Sequence, residues 1–156
     1  MNYQYMDSPI GRLRLLSNGT CLVRIEFQGR EEVAEDDVEK KDAVLKAASN
    51  QLQEYFRGQR RVFELPLAPL GTPFQRSVWD ALAQIPFGEL RSYLDIAEAI
   101  GNRAAVRAVG AANGRNPLPI VVPCHRVIGS DGSLTGFAGG LEAKTCLLQL
   151  EGAILV

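Results

Sequence analysis

The chain has 156 residues, 46% of them hydrophobic and 22% charged, and a net charge of −1. This composition is typical of a soluble globular protein with one ordinary domain or two very small ones, and it excludes wholesale disorder. No apolar run approaches the roughly 20 residues of a membrane span, and the first residues do not predict a signal peptide. Three widely spaced cysteines and one histidine exclude a disulfide framework and a zinc finger, so we expect a cytoplasmic protein.

Charge is distributed unevenly along the chain. Residues 31–42 contain seven acidic residues, whereas residues 99–130 contain four arginines and no acid. Local rather than total charge decides whether a surface can meet phosphates. Arginines also simply solvate a helix, so this segment indicates DNA binding only together with other features of the same stretch. The four arginines are Arg103, Arg107, Arg115 and Arg126.

The first third of the sequence predicts strands followed by a helix. Residues 12–15 and 23–27 alternate polar and apolar side chains on either side of the turn dipeptide Asn18-Gly19, which is the pattern of a β-hairpin. Apolar residues then recur at helical spacing over 43–56.

Two segments of the N-terminal part predict irregular structure. The acidic run 31–42 is expected to be a solvated loop. Residues 65–71 contain two prolines, which lack the N–H donor that a helix or a strand ladder needs. We therefore place a boundary there, between an N-terminal domain of one sheet and one helix (1–68) and a C-terminal domain (69–156).

The C-terminal part opens with a strong helix start. Thr72 is a good N-cap, Pro73 suits the first helical position, and Gln75 can complete a capping box. Two short helices are predicted next, over 93–100 and 103–112, with Gly101 ending the first and Asn102 capping the second.

Two short helices joined by a glycine-containing turn match a DNA-binding helix-turn-helix. The second helix is rich in alanine and glycine, so its backbone can approach another surface closely, with Arg107 standing out from that face. Small-residue helices also pack tightly in ordinary cores. The arginines of the same stretch favour DNA.

Cys124 and His125 form the candidate site for chemistry. They follow the apolar run 118–123, which predicts a buried strand. A thiol beside an imidazole is a plausible nucleophile, because the thiolate is the reactive form. A free cysteine is also commonly just a small buried hydrophobe, and we assign Cys21 and Cys146 to that role.

The expected backbone restricts the reaction. Adjacent residues of an extended chain point to opposite sides, so a direct hydrogen bond between Cys124 and His125, as in a cysteine protease, is disfavoured. A relay through one water, with an acid behind the imidazole, remains open. A single displacement by a mildly activated thiolate fits better than hydrolysis.

The C-terminal part of the chain resembles the O6-alkylguanine-DNA alkyltransferases, which repair DNA by direct reversal. The resemblance covers residues 71–152 in order, and its Pro-Cys-His-Arg-Val motif is highly specific. It is carried by 85–89 (IPFGE), Tyr93, 108–113 (AVGAAN), Asn116-Pro117, 122–128 (VPCHRVI), 135–141 (TGFAGGL) and 150–152 (LEG).

The resemblance implies the fold and the activity. The fold would be α/β (α+β), with a small strand-rich N-terminal domain carrying one helix and a mainly helical, winged-helix-like C-terminal domain containing the helix-turn-helix. The chain would act as a monomer on double-stranded DNA, moving a methyl or alkyl group from O6 of a flipped guanine to Cys124 in a single turnover. No metal or other cofactor is implied, and activity on O4-methylthymine is left open.

The resemblance also implies residue roles. Catalytic roles fall to the acceptor Cys124, to His125 and Glu151 in a water relay, to Tyr93 in nucleotide rotation and proton delivery, and to the hinge Asn116. The residues implied to bind DNA or the guanine are Arg107 (a finger filling the vacated stack), Gln75, Asn102, Ser130, Phe137, Ala138 and Gly139.

The chain departs from the family pattern at two points, and two alternative functions remain open. Ala138 stands where some family members use a hydroxyl to bind guanine O6, and this chain lacks the residues for the N-terminal zinc site of other members. The alternatives are a non-catalytic module that flags alkylated guanine and a helix-turn-helix regulator with a redox-sensing Cys124. The presence of Cys124 favours transfer over flagging, and the alanine-rich helix has few side chains that could read a base sequence.

Overall fold

The structure, a computed structural model, describes residues 1–155 and comprises two compact units, Met1–Leu70 and a second that starts at Gly71. The first unit is strand-rich with one long helix, and the second is mainly helical, so the predicted mixed α+β class is confirmed. None of the helices within residues 1–155 has the length and hydrophobicity needed to cross a bilayer.

The first unit is a four-stranded sheet with one helix packed against it. The strands are β1 (Asn2–Met6), β2 (Leu13–Ser17), β3 (Leu22–Phe27) and β4 (Val38–Glu39), in the order β3-β2-β1-β4 with β4 parallel to β1. Helix α1 (Ala43–Phe56) has the predicted bounds, and Asp42 caps it by accepting from the Leu45 amide. The predicted hairpin is confirmed as β2 and β3.

The expectation of a solvated loop at 31–42 is wrong in part. The segment contains β4, and its Asp37 pairs with the buried Arg14 at 2.7 Å. Arg14 also bonds Glu26 at 2.8 Å, so a buried guanidinium on β2 holds part of the acidic run against the sheet. Composition alone hides this pairing because Arg14 lies far away in sequence.

The proline segment likewise pairs where no ladder was expected. The Leu22 amide donates to the Pro66 carbonyl at 2.8 Å, and the Ala68 amide donates to the Leu22 carbonyl at 2.9 Å. Only a carbonyl is required of the proline, so its missing N–H costs nothing here.

The second unit contains the remaining helices. They are α2 (Pro73–Ala83), α3 (Tyr93–Ala99), α4 (Val106–Gly114) and α5 (Leu141–Leu150), and two short parallel strands, β5 (Arg91–Ser92) and β6 (Val127–Ile128), pair with each other. Helices α2, α3 and α4 pack together, and Trp79 on α2 donates through Nε1 to the Ala112 carbonyl at 2.9 Å. The predicted capping box of Thr72 and Gln75 is present on α2.

The turn between α3 and α4 is confirmed, with corrections to the start and the end of α4. Gly101 has φ +73°, and the amides of Gly101 and Asn102 bond the carbonyls of Glu98 and Ala97, which closes the end of α3. Asn102 makes no side-chain cap, however, and the chain first forms a 3-10 turn, Arg103–Ala105, before α4 begins. Helix α4 then continues to Gly114, two residues beyond the predicted end.

The predicted buried strand at 118–123 is absent. The segment consists of turns, with the Val122 amide donating to the Leu118 carbonyl at 2.8 Å, and Cys124–Arg126 form a 3-10 turn that leads into β6. Prolines 117, 119 and 123 remove the donors that a ladder needs, so an apolar run here turns instead of extending.

Candidate active site

Asn116 fixes the turn that precedes Cys124. Its Nδ2 donates to the Val122 carbonyl at 2.8 Å, and its Oδ1 accepts from the Leu118 amide at 3.0 Å. Within this turn the buried Ile120 has φ +75°, a conformation that β-branched residues rarely adopt. The surrounding packing and the two bonds of Asn116 hold the backbone in this costly geometry just ahead of the thiol.

The thiol of Cys124 is almost fully enclosed. The residue is 4% exposed, and burial raises the pKa of the thiol to about 11. A hydrogen bond from the Asn116 side chain and the positive charge of Lys144 act in the opposite direction. In the free protein the thiol is therefore protonated at neutral pH, and its use as a nucleophile requires a base.

His125 lies against a buried carboxylate. Its Nε2 is 2.7 Å from Oε2 of Glu151, which follows α5 at its C-terminal end. Arg126 grips the same carboxylate with two bonds, Nε to Oε1 at 2.8 Å and a terminal nitrogen to Oε2 at 2.9 Å, and donates to the Ile85 carbonyl at 2.6 Å. These three side chains form a buried array, here called the His125–Glu151–Arg126 array.

The array determines which imidazole nitrogen is free to act. Glu151 receives donors from Arg126 on both oxygens, so it is a carboxylate and can only accept from Nε2. Burial lowers the pKa of His125 below its ordinary value, although Glu151 opposes this through its bond and its charge. The imidazole is thus neutral, and its Nδ1, buried without a partner, is left as the basic nitrogen.

Cys124 and His125 do not form the hydrogen-bonded dyad of a cysteine protease, as expected, but the reason is not an extended strand. They are consecutive residues of a 3-10 turn, where side chains diverge by about 120°, instead of alternating along a strand. The imidazole of His125 is held by Glu151 and not by Cys124, so its orientation is set independently of the thiol.

A buried lysine interacts electrostatically with the thiol. Lys144 on α5 is fully buried, and its ammonium donates to the carbonyls of Val127 and Thr135, each at 2.7 Å. It has no carboxylate partner within residues 1–155. Burial lowers its pKa, and the charge of the Cys124 thiolate opposes this shift. The lysine therefore supplies a positive charge, without a carboxylate partner in residues 1–155, that acts on the Cys124 thiol.

Tyr93 links the helix-turn-helix to the loop 129–140. It is the first residue of α3, is half-buried, and its hydroxyl lies 3.1 Å from Oγ1 of Thr135. Gly110 on α4 faces its ring, since a Cβ at that glycine would lie 3.9 Å from ring carbon Cδ1. The loop also contains the half-buried Phe137, the exposed Ala138 and the half-buried Gly139, two to four residues after Thr135.

The other residues implied to contact DNA lie outside this cluster. Arg107 on α4, Asn102 in the turn and Ser130 in the loop are all exposed. Gln75 is half-buried at the start of α2, where its Oε1 accepts from the Thr72 amide.

Arg126 was wrongly grouped with the exposed arginines. It is 6% exposed and bound to Glu151, so three of the four arginines of 99–130 remain on the surface. Cys21 and Cys146 are half-buried instead of buried, and Cys21 precedes β3 without belonging to it.

Sequence reasoning also missed Lys144 and Thr135. Lys144 had a detectable signal, because it occupies a buried position of α5 between Ala143 and Leu147, where an apolar residue is expected. The contact of Thr135 with Tyr93 spans 42 positions of sequence and leaves no local pattern. No group of three or more His, Cys, Asp or Glu that could hold a metal ion occurs in the described chain.

Comparison with known proteins agrees with this architecture. Two family models match, described as the ribonuclease-like domain (residues 1–69) and the DNA-binding domain (residues 73–153) of 6-O-methylguanine DNA methyltransferase. The chain is 50% identical over 154 residues to the methylated-DNA--protein-cysteine methyltransferase of Methanosarcina barkeri, covering 97% of both chains. It is 47% identical over 155 residues to the constitutive Bacillus subtilis protein of that name, covering 96% of this chain and 94% of the relative.

A solved structure extends the likeness to the fold. The Mycobacterium tuberculosis protein crystallised in complex with DNA matches with a TM-score of 0.91 and 44% identity, over 97% of this chain and 93% of that one. Matches of this identity over nearly the full length of both chains establish descent as well as shape. The chain belongs to the methylated-DNA--protein-cysteine methyltransferase family.

Proposed function

We propose that this protein repairs DNA by moving a methyl or larger alkyl group from O6 of guanine to Sγ of Cys124. The observation that carries the proposal is a buried thiol next to the His125–Glu151–Arg126 array, in a unit that also contains a helix-turn-helix. The family relationship makes the same assignment of activity.

The reaction is a single displacement. The Cys124 thiolate attacks the alkyl carbon, an S–C bond forms, and the C–O6 bond breaks with its electron pair remaining on the guanine oxygen. The guanine then takes up one proton, and the thiol has lost one, so charge and atoms balance. The product is a thioether without a good leaving group, and each molecule acts once.

His125 is the proposed base for the thiol proton. Its Nδ1 has no protein partner, while its Nε2 is committed to Glu151, so Nδ1 can receive the proton through a bridging water. The imidazolium formed in this way would lie against the carboxylate of Glu151, which stabilises it. The charge of Lys144 stabilises the thiolate left behind.

Burial of the thiol requires the target nucleotide to leave the helix. An O6-alkyl group inside stacked DNA cannot present its carbon to an enclosed sulfur, and extrusion of the base costs a few kcal/mol. Arg107, exposed on a helix of small side chains, is the proposed finger that fills the vacancy and offsets part of this cost. Tyr93 is proposed to turn the nucleotide and to supply a proton to the departing guanine.

The remaining assignments are part of the same proposal. The loop from Phe137 to Gly139 would border the guanine, with backbone groups replacing the hydroxyl that Ala138 lacks. Gln75, Asn102 and Ser130 would contact the DNA. The protein would act as a monomer without a cofactor, and a cytoplasmic location would keep the acceptor thiol reduced.

Intact mass spectrometry tests the proposal. Incubation with duplex DNA containing one O6-methylguanine should add one methyl group, about 14 Da, to Cys124, and unmodified duplex should add nothing. The Cys124→Ala variant should gain no mass and still bind the modified duplex. Tight binding by the wild-type protein without mass gain would identify a lesion-flagging module, and neither binding nor gain would contradict both readings.

A further inference from the structure

Thr135 is bonded on two sides, although its side chain is exposed. Its carbonyl accepts from the ammonium of Lys144 at 2.7 Å, and its hydroxyl lies 3.1 Å from the hydroxyl of Tyr93. The same ammonium binds the Val127 carbonyl at 2.7 Å, three residues after the acceptor Cys124. One buried cation thus fixes both the segment that follows the acceptor and the loop residue that touches Tyr93.

We propose that Thr135 is a positioning residue of the transfer reaction, which holds the Tyr93 hydroxyl in register with the acceptor thiol through a Lys144–Thr135–Tyr93 chain of bonds. The proposal rests on the proposed function, because it assigns Thr135 a task only if Tyr93 acts on the flipped nucleotide. It goes beyond that function by naming the residue that orients the phenol.

The geometry of Tyr93 supports this assignment. A tyrosine ring is fixed by packing, but its hydroxyl proton still rotates and takes its direction from a partner. Gly110 lies against the ring and leaves the hydroxyl untouched, whereas Thr135 meets the hydroxyl itself. A threonine hydroxyl can donate and accept, so it can support the phenol before and after the phenol gives up a proton.

The backbone of Thr135 is held independently of its side chain. The Lys144 ammonium binds the carbonyl, which every substitution at position 135 retains. A variant that loses only the hydroxyl should therefore leave the loop in place and remove the bond to Tyr93. This separation makes the side chain testable without disturbing the fold.

The experiment compares Thr135→Val, which keeps the shape and loses the hydroxyl, with Thr135→Ser, which keeps the hydroxyl. Each is made alone and in a Tyr93→Phe background, and the single-turnover rate of methyl transfer from O6-methylguanine duplex is measured. We expect Thr135→Val to slow transfer about threefold to tenfold, the range of one net hydrogen bond, and Thr135→Ser to remain within about twofold of wild type. In the Tyr93→Phe background, Thr135→Val should cause no further loss, since the bond is already gone.

Three results would overturn the inference. Thr135→Val could react at the wild-type rate, Thr135→Ser could lose as much as Thr135→Val, or the loss could persist in the Tyr93→Phe background. Urea midpoints of all variants check that the fold is kept. Failure of the proposed function is distinguishable, because the wild-type protein itself would then transfer no methyl group.

Discussion

The ionisation of Cys124 should make the stability of the protein depend on pH in the alkaline range. The thiol is enclosed, and burial raises its pKa from an ordinary 9.0 to about 11. Between these values the native protein retains a proton that the unfolded chain releases. Stability from this group is therefore fully present below pH 9 and is lost as the pH rises through about 11.

The size of the effect follows from the shift. Two pKa units correspond to about 3 kcal/mol of unfolding free energy. Cys124→Ala removes the ionising group at the cost of a small cavity, which lowers stability by an amount that does not depend on pH. The difference in unfolding free energy between wild type and variant should thus fall by about 3 kcal/mol between pH 8 and 12.

Urea denaturation under reducing conditions at intervals over this range gives that difference. Subtraction of the variant curve cancels the titration of groups that are independent of Cys124. Cys21→Ala is the matched control, because Cys21 is half-buried and lies outside the site. A wild-type minus Cys124→Ala difference that stays flat from pH 8 to 12 would refute the reasoning that the thiol is buried and protonated.

Three further predictions concern single side chains. Glu151→Gln should destabilise the protein by about 3–5 kcal/mol in urea denaturation, because it leaves a buried guanidinium unpaired. Glu89→Gln, in an exposed pair, should cost less than about 1 kcal/mol, and equal losses would contradict the difference in burial. Arg107→Ala should slow transfer from duplex more than transfer from free O6-benzylguanine, with Arg115→Ala as the exposed control, and equal slowing of both reactions would remove the finger role. Bonds from the Ala34 amide and from the Arg14 guanidinium lower the pKa of Asp37 to about 2, so wild type should lose stability as the pH falls from about 4 to 2. Asp37→Asn should lose less stability over this range. Unfolding followed by circular dichroism measures this, and parallel acid curves for the two proteins would contradict it.

Local sequence patterns predicted the bounds of α1 and the start of α2, because their signals lie within a few residues. The bounds of α1 and the capping box at Thr72 both follow from spacing and from cap chemistry. The segment 118–123 failed because hydrophobicity alone does not distinguish a strand from a buried turn. The prolines in and next to this segment indicated a turn, but the prediction of a strand followed the apolar run instead.

The candidate site was predictable where one motif holds its members together and less so where distant segments meet. Cys124 and His125 are adjacent, and the resemblance supplied Glu151. The bond of Arg126 to Glu151 joins positions 25 residues apart, so an arginine that was counted toward the basic character of residues 99–130 is a buried structural group. Charge counts along a sequence cannot separate these two fates, because burial is a property of the folded chain.

The high pKa of Cys124 fits a protein that acts once. A rise from 9.0 to about 11 lowers the thiolate fraction at neutral pH about 100-fold, so the free protein reacts slowly with alkylating agents that reach it by chance. In the proposed reaction, a neutral His125 with an unpartnered Nδ1 would take the proton once a substrate occupies the site, and the charge of Lys144 would stabilise the resulting anion. Burial of the thiol slows its reaction with other alkylating agents, and it also requires the target base to leave the duplex. One structural feature thus accounts both for the low reactivity of the free thiol and for its selectivity for a flipped base.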